Sequence, residues 1–291
     1  MTTKLSAAEK KQIDTGYNEA LLAFDIATCE AVTVSQSIGV RMAKPHLGHS
    51  TFIFVRLCNH AISMICAAPR SRWIRADFTN WDFAGVAGHS RAILEGFLLL
   101  LYVVETPGSR EEWSTKINVM YLNDCSRRIK MMGNIGSLDA LKGLQDQAEE
   151  LRGRLNTNSW FAALPAQTQK RCLTGEILMI PTRDEMLERA GWEKNSFYAM
   201  WDLLSQYAHA LPISFFRMQQ DGRGTGVEND TDKAYIARMM EWCAITLTTA
   251  TDLMVEAFPH TSKVRKGLES KFTAGPRSNC PEPFKNEKKK R

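Results

Sequence analysis

Apolar residues recur three and four positions apart along most of this chain, while the alternation expected of a half-buried strand is almost absent. That pattern confines the fold to helices packed on helices. Start signals agree with it. Ser6-Ala-Ala-Glu9, Ser109-Arg-Glu-Glu112 and Thr182-Arg-Asp-Glu185 each set a hydroxyl three residues before a glutamate. In such a box the hydroxyl and the carboxylate satisfy two backbone N–H groups that a helix start leaves orphaned. Stop signals are as plain, with Pro69, Pro107-Gly108, Pro212 and Pro259 closing apolar stretches.

Helices are accordingly predicted from the Ser6 cap to about Val34, over His49–Ala68, over Asn80–Val104 and from the Ser109 cap to about Met132. An exposed helix follows over Leu138–Leu155, then broken turns over 156–181 and a short helix over Glu185–Ala190. Glu193–Leu211 and Thr231–Phe258 complete the set, with Arg70–Phe78 as a connector and Asp221–Asp230 as a flexible glycine-rich loop. The expected fold class is all-α: an antiparallel helical bundle of about eight helices, because short connections favour antiparallel neighbours. The domain spans residues 1–261, with 136–192 read as an insertion.

Charge is distributed unevenly. Lys and Arg number 37 against 32 Asp and Glu, a formal net charge of +5. Residues 262–291 hold ten basic and three acidic side chains, leaving 27 basic against 29 acidic in the body. The body is near neutral, so a phosphate-binding surface spread across it is not expected. The tail, broken by Pro276, Pro281 and Pro283 and ending Lys-Lys-Lys-Arg, has a composition that predicts disorder. Such a tail holds RNA or another polyanion loosely and in a salt-dependent way.

Seven scattered cysteines form no Cys-x-x-Cys pair, which argues against a zinc ribbon or a dithiol redox centre. The two imidazoles of His46-Leu-Gly-His49 have no nearby carboxylate or cysteine pattern to complete a metal site. Gly222-Arg-Gly-Thr-Gly226 lacks the Lys-Ser/Thr of a phosphate loop. No metal and no cofactor are expected. The longest unbroken apolar run, Phe97–Val104, spans eight residues, whereas a membrane helix needs roughly 20. By that measure, and with no signal-peptide pattern at its start, the chain is expected to be cytoplasmic, with no membrane partner.

Two helices carry the polar residues of interest. Arg91 and Glu95 are four apart, on one face of a helix that is otherwise apolar almost all round. Charges in such a setting need partners, either as an internal ion pair or as an anion ligand, Arg91, oriented by Glu95. On the later helix, Trp201-Asp202-Leu-Leu-Ser205-Gln206-Tyr-Ala-His209 aligns Asp202, Ser205 or Gln206, and His209 on one stripe near the helix end. A Ser–His pair at this spacing is not by itself a nucleophile and a base. A third stripe, Tyr121, Asp124 and Arg128, either completes a polar centre between helices or, as the clustered Arg127, Arg128 and Lys130 favour, is a solvated face.

The combination of Ser90-Arg91-Ala-Ile-Leu-Glu95 with Leu204-Ser205-Gln-Tyr207-Ala-His209 resembles a family of bacterial all-helical domains in which an Arg-x-x-x-Glu helix precedes a Ser-x-x-x-His helix. More distantly it resembles the HEPN superfamily of helical RNA-processing and nucleotide-binding domains. The likeness covers roughly residues 80–215. It implies Arg91, Glu95, Ser205 and His209 as catalytic positions, RNA binding or processing in a stress or defence setting, and a homodimer. HEPN ribonucleases carry Arg-x(4–6)-His on one helix. Here Arg41…His46 has that spacing but contains Pro45, and Arg56…His60 is one residue short. An Arg91–His209 pair drawn from two helices is the alternative source of the same chemistry. Readings that do without catalysis are a helical interaction module and an anion- or nucleotide-binding sensor.

Overall fold

The computed structural model describes residues 6–75, 77–216 and 223–272, without the side chains of 138–140. Among these residues every regular element is helical. The exception to helix and loop is one isolated bridge, in which the Trp81 N–H donates to the Gly226 carbonyl at 2.9 Å. The chain divides into two compact units, residues 1–104 with 192–291, and residues 105–191.

In the first unit α1 (Ala7–Ile38) starts as its capping box dictates: the Glu9 N–H donates to Ser6 Oγ at 3.3 Å and the Ser6 N–H to the Glu9 carboxylate at 2.7 Å. Pro45 opens α2 (Pro45–Ala67), where its missing N–H costs nothing. Arg41 therefore lies outside the helix that carries His46, which is buried, and the two share no helix face. Asp82 accepts the Ala84 N–H at 3.0 Å and starts α3 (Ala84–Val104). Later in the chain come α9 (Lys194–Ala208), α10 (Pro212–Phe216) and α11 (Asp230–Ala257).

Helices α1, α2, α3 and α11 pack around one core, each against at least two of the others. Leu57 of α2 lies against Gly96 of α3, and Ala67 against Gly85, so these two helices run antiparallel. By contrast α1 and α11 run parallel, with Lys233 on Asp14 (2.9 Å) at one end and His260 beside the Ser37 carbonyl at the other. Tyr17, Phe24, Phe54, Met64, Val86, Leu100, Met240 and Leu247 are fully buried between them. Each such side chain contributes roughly 1.5–3 kcal/mol on leaving water.

Three of these helices correct an expectation. α1, α2 and α3, of 32, 23 and 21 residues, each contain an 18-residue stretch with at most two charged residues, and each is long and apolar enough to cross a membrane. The expectations of no membrane and a cytoplasmic location are overturned by that finding. Counting unbroken apolar runs misled because Gly, Ser and Thr interrupt a run without making the helix strongly polar.

The second unit holds α4 (Arg110–Ile135), α5 (Leu138–Asn156), α6 (Ser159–Ala162), α7 (Ala166–Leu173) and α8 (Arg183–Arg189). Val119, Leu122, Leu151, Leu155, Phe161 and Cys172 form its core. The segment 136–192 ends within a residue of this unit, which begins earlier, at 105, and takes in α4. The Thr182 box forms completely. At Ser109 only half of it forms: Ser109 Oγ accepts the Glu112 N–H at 3.0 Å, while the Glu112 carboxylate accepts from Gly108 instead. Tyr121, Asp124 and Arg128 are exposed or nearly so, as a solvated face requires, with Arg128 and Asp124 3.6 Å apart.

Order extends further toward the C-terminus than composition suggests. Residues 259–264 and 267–269 form 3-10 turns against α1. Arg265 Nε donates to Glu30 at 2.9 Å, and Phe272 stacks on Trp73 with ring centroids 5.5 Å apart. The rest of the expected disordered tail, 273–291, lies outside the described residues.

Candidate functional site

The site is built where α3 and α9 cross in antiparallel register. Gly88 lies opposite Ala208 and Glu95 opposite Trp201, which sets Arg91 level with Ser205. Glu193 starts α9 by accepting the Asn195 and Ser196 N–H groups at 2.9 and 2.7 Å. The helix ends at His209, followed by Ala210 in the left-handed region at φ 49°. The Leu211 N–H then donates to the Gln206 carbonyl at 2.9 Å and Ala210 to Tyr207 at 3.5 Å, the two bonds of a Schellman turn. This turn, rather than Pro212, stops the helix and presents the His209 ring to solvent.

Four side chains meet here. The Arg91 guanidinium carbon sits 4.5 Å from the centre of the Trp201 ring. Arg91 Nη1 is 3.4 Å from His209 Nε2. A guanidinium only donates, so a hydrogen bond between them has the ring nitrogen as acceptor. Trp201 Nε1 donates to Glu95 Oε1 at 2.6 Å, and the other carboxylate oxygen of Glu95 is 3.6 Å from Arg91 Nε. That Nε is buried and has no hydrogen-bond acceptor within reach among the described residues. The Arg91 and Glu95 side chains are 23% and 37% exposed, so the pair lies at the rim of the core rather than sealed inside it.

Of the four residues singled out from sequence, Arg91, Glu95 and His209 come together directly. Ser205 lies at the same level, but its hydroxyl donates to the Trp201 carbonyl one turn back at 2.7 Å. Its proton is committed to the helix, so Ser205 is not poised as a nucleophile. Asp202 is exposed and makes no contact with His209.

Trp201 was not legible as a site residue, although its place four residues before Ser205 put it on the right stripe. Arg223 is a second omission. Its guanidinium donates to Tyr207 Oη at 2.6 Å, lies 3.4 Å from the buried Asp232 carboxylate and covers the Tyr235 ring at 5.0 Å. The described part of the loop 221–230 is thus pinned, while Asp221 and Gly222 lie outside the described residues. Tyr207 and Ala210, either side of His209, line a cavity of about 190 Å³ together with Asp82, Ser214, Arg223 and Asp232. Burial pushes the pKa of the Tyr207 hydroxyl above its ordinary value, so it stays a neutral donor and acceptor.

The arrangement can hold an anion. Arg91 is already stacked, its Nε lacks an acceptor, and Glu95 divides itself between Arg91 and the indole. An oxyanion entering from solvent would meet the orphaned donor beside the His209 ring. Among the described residues no group of three metal-ligating side chains occurs. No protein-family model, curated protein or solved structure matches this chain.

Proposed function

We propose that this protein is a HEPN-like helical protein that binds or processes RNA in a stress or defence role, with the Arg91–His209 pair as its phosphodiester site. In this reading the antiparallel α3–α9 pair carries the chemistry. The single observation that carries the proposal is the approach of Arg91 Nη1 to His209 Nε2, 3.4 Å, at a solvent-accessible rim. Arg91 binds a non-bridging phosphate oxygen, giving up its contact with the imidazole. His209 Nε2 takes the proton of a ribose 2′-hydroxyl. The 2′-oxygen bonds to phosphorus, the bond to the 5′-oxygen breaks, and that oxygen takes a proton from water. Glu95 and Trp201 position Arg91.

One observation favours a second reading. A single histidine stands at the cluster, whereas efficient phosphodiester cleavage uses a base and an acid. An anion- or nucleotide-binding sensor needs only Arg91 and its stacked support.

The test is incubation of the full chain with a labelled single-stranded oligoribonucleotide. Cleavage that disappears in both Arg91→Ala and His209→Ala at unchanged melting temperature supports processing. Binding without cleavage, weakened in Arg91→Lys, supports the sensor. Neither binding nor cleavage, with a large fall in melting temperature in Arg91→Ala, would mean that the cluster only packs.

A further inference from the structure

The stretch from residue 31 to residue 76 contains no aspartate or glutamate in 46 positions, yet it carries Arg41, Lys44, Arg56, Arg70, Arg72 and Arg75. Three of these cations are answered from elsewhere or engaged locally: Arg70 pairs with Asp14 and Glu228, Arg72 with Asp25, and Arg75 has a partner of its own. Lys44 and Arg56 are exposed and have no carboxylate partner among the described residues. Arg41 is held by the Ser37 and Ile38 carbonyls and by His260, so its charge also remains unneutralised. Positive charge therefore concentrates on the outer side of α2 and the loop leading into it.

The same surface is apolar where a soluble face is ordinarily polar. Phe52 is 71% exposed and Val55 also faces solvent, one turn apart on the outer stripe of α2 beside Arg56. In the loop just before α2, Met42 is 100% exposed and Val40 is equally bare. Among the three long apolar helices α2 is the least covered, with 39% of its apolar stretch buried against 56% for α1 and α3. Large apolar side chains interleaved with unpaired cations, on a stretch that carries no acid of its own, are complementary to an anionic bilayer surface.

We infer that the outer face of α2 and the 39–44 loop form a docking surface for anionic phospholipid membranes. Val40, Met42, Phe52 and Val55 enter the acyl boundary, while Arg41, Lys44 and Arg56 meet the phosphate headgroups. The helix lies along the surface and its buried side stays in the bundle core through Phe54, Leu57, Ala61 and Met64.

The experiment is flotation of the full chain with vesicles of phosphatidylcholine alone or with about a third phosphatidylglycerol. Expected is flotation with the anionic vesicles only, falling as salt rises. Replacing Phe52→Asp and Val55→Asp together abolishes it. Lys44→Glu with Arg56→Glu lowers partitioning by roughly 25-fold or more, about fivefold for each cation removed. Circular dichroism matching the wild type excludes misfolding as the cause, since all four side chains point outward. Flotation unchanged in both double variants, or lost only when Lys288, Lys289, Lys290 and Arg291 are changed to Gln, would overturn the inference. So would absence of flotation in a wild type that is a dimer and becomes monomeric in Phe52→Asp, because a second copy would then be what covers the face.

Discussion

Replacing Trp201 by Phe keeps an aromatic face under Arg91 and deletes one atom group, the indole N–H that donates to Glu95 at 2.6 Å. A hydrogen bond to a charged acceptor contributes about 1.5–3 kcal/mol net. Glu95 is 37% exposed, so water replaces part of the loss and the lower end applies. The weaker cation–π attraction of Phe adds a few tenths, giving about 2 kcal/mol, or roughly a thirtyfold change in the folded-to-unfolded ratio. In a chain of this size that corresponds to a fall of about 4–6 °C in melting temperature. The consequence for the site is larger than the consequence for stability. Released from the indole, Glu95 turns wholly onto Arg91 and competes with any incoming anion. Urea unfolding of Trp201→Phe, Glu95→Gln and the double variant measures the coupling, expected at about 1 kcal/mol because the two side chains share one bond. Phosphate affinity is expected to fall in Trp201→Phe and to recover in the double variant. Stability losses that simply add, with phosphate affinity unmoved, would refute the reasoning that Trp201 governs Arg91 through Glu95.

Other expectations follow from single positions. Ala210 occupies the left-handed position of the Schellman turn after α9, at φ 49°. Ala210→Gly is expected to raise stability by about 0.5–1 kcal/mol, read as a higher melting temperature. Gly175, at φ 73°, has Ser126 and the Leu122 carbonyl where a Cβ would stand, so Gly175→Ala is expected to cost about 2 kcal/mol or more in urea unfolding. Lys233 Nζ, 2.7 Å from Glu228, holds that carboxyl below the ordinary carboxylate range against the opposing push of burial, and Arg70 adds to the effect. The folded-state value is depressed, so this contribution to stability is complete above the ordinary value of 4.5 and is lost as pH falls through the lower, folded-state one. Glu228→Gln is expected to flatten the acid limb of stability against pH, measured by urea midpoints from neutrality down to acid.

Helix content was legible because its signals are local. Ser6, Thr182 and Pro107 act within four residues of themselves, and those helix starts and stops fall close to where they stand in the sequence. What depends on two distant segments was not. Arg91 and Glu95 are visible as a pair on one helix, but the approach of His209 depends on the register of α3 against α9. That register follows from small residues, Gly88 against Ala208, rather than from any motif. Trp201 stands on the stripe with Ser205 and His209, but no local signal shows that its ring meets Arg91 of another helix. Membrane compatibility was misjudged for a different reason: a rule based on unbroken runs cannot see an apolar helix punctuated by Gly and Ser. The parallel course of α1 and α11 also escaped, since the long segment between them leaves their relative direction free.

If Arg91 and His209 act as one phosphate-binding site, the His209 ring reports on it directly. In an NMR titration of the full chain with a short oligoribonucleotide, the His209 ring signals are expected to shift in wild type and to stay still in Arg91→Ala. Ring signals that do not move in wild type, or that move equally without the Arg91 guanidinium, would contradict it.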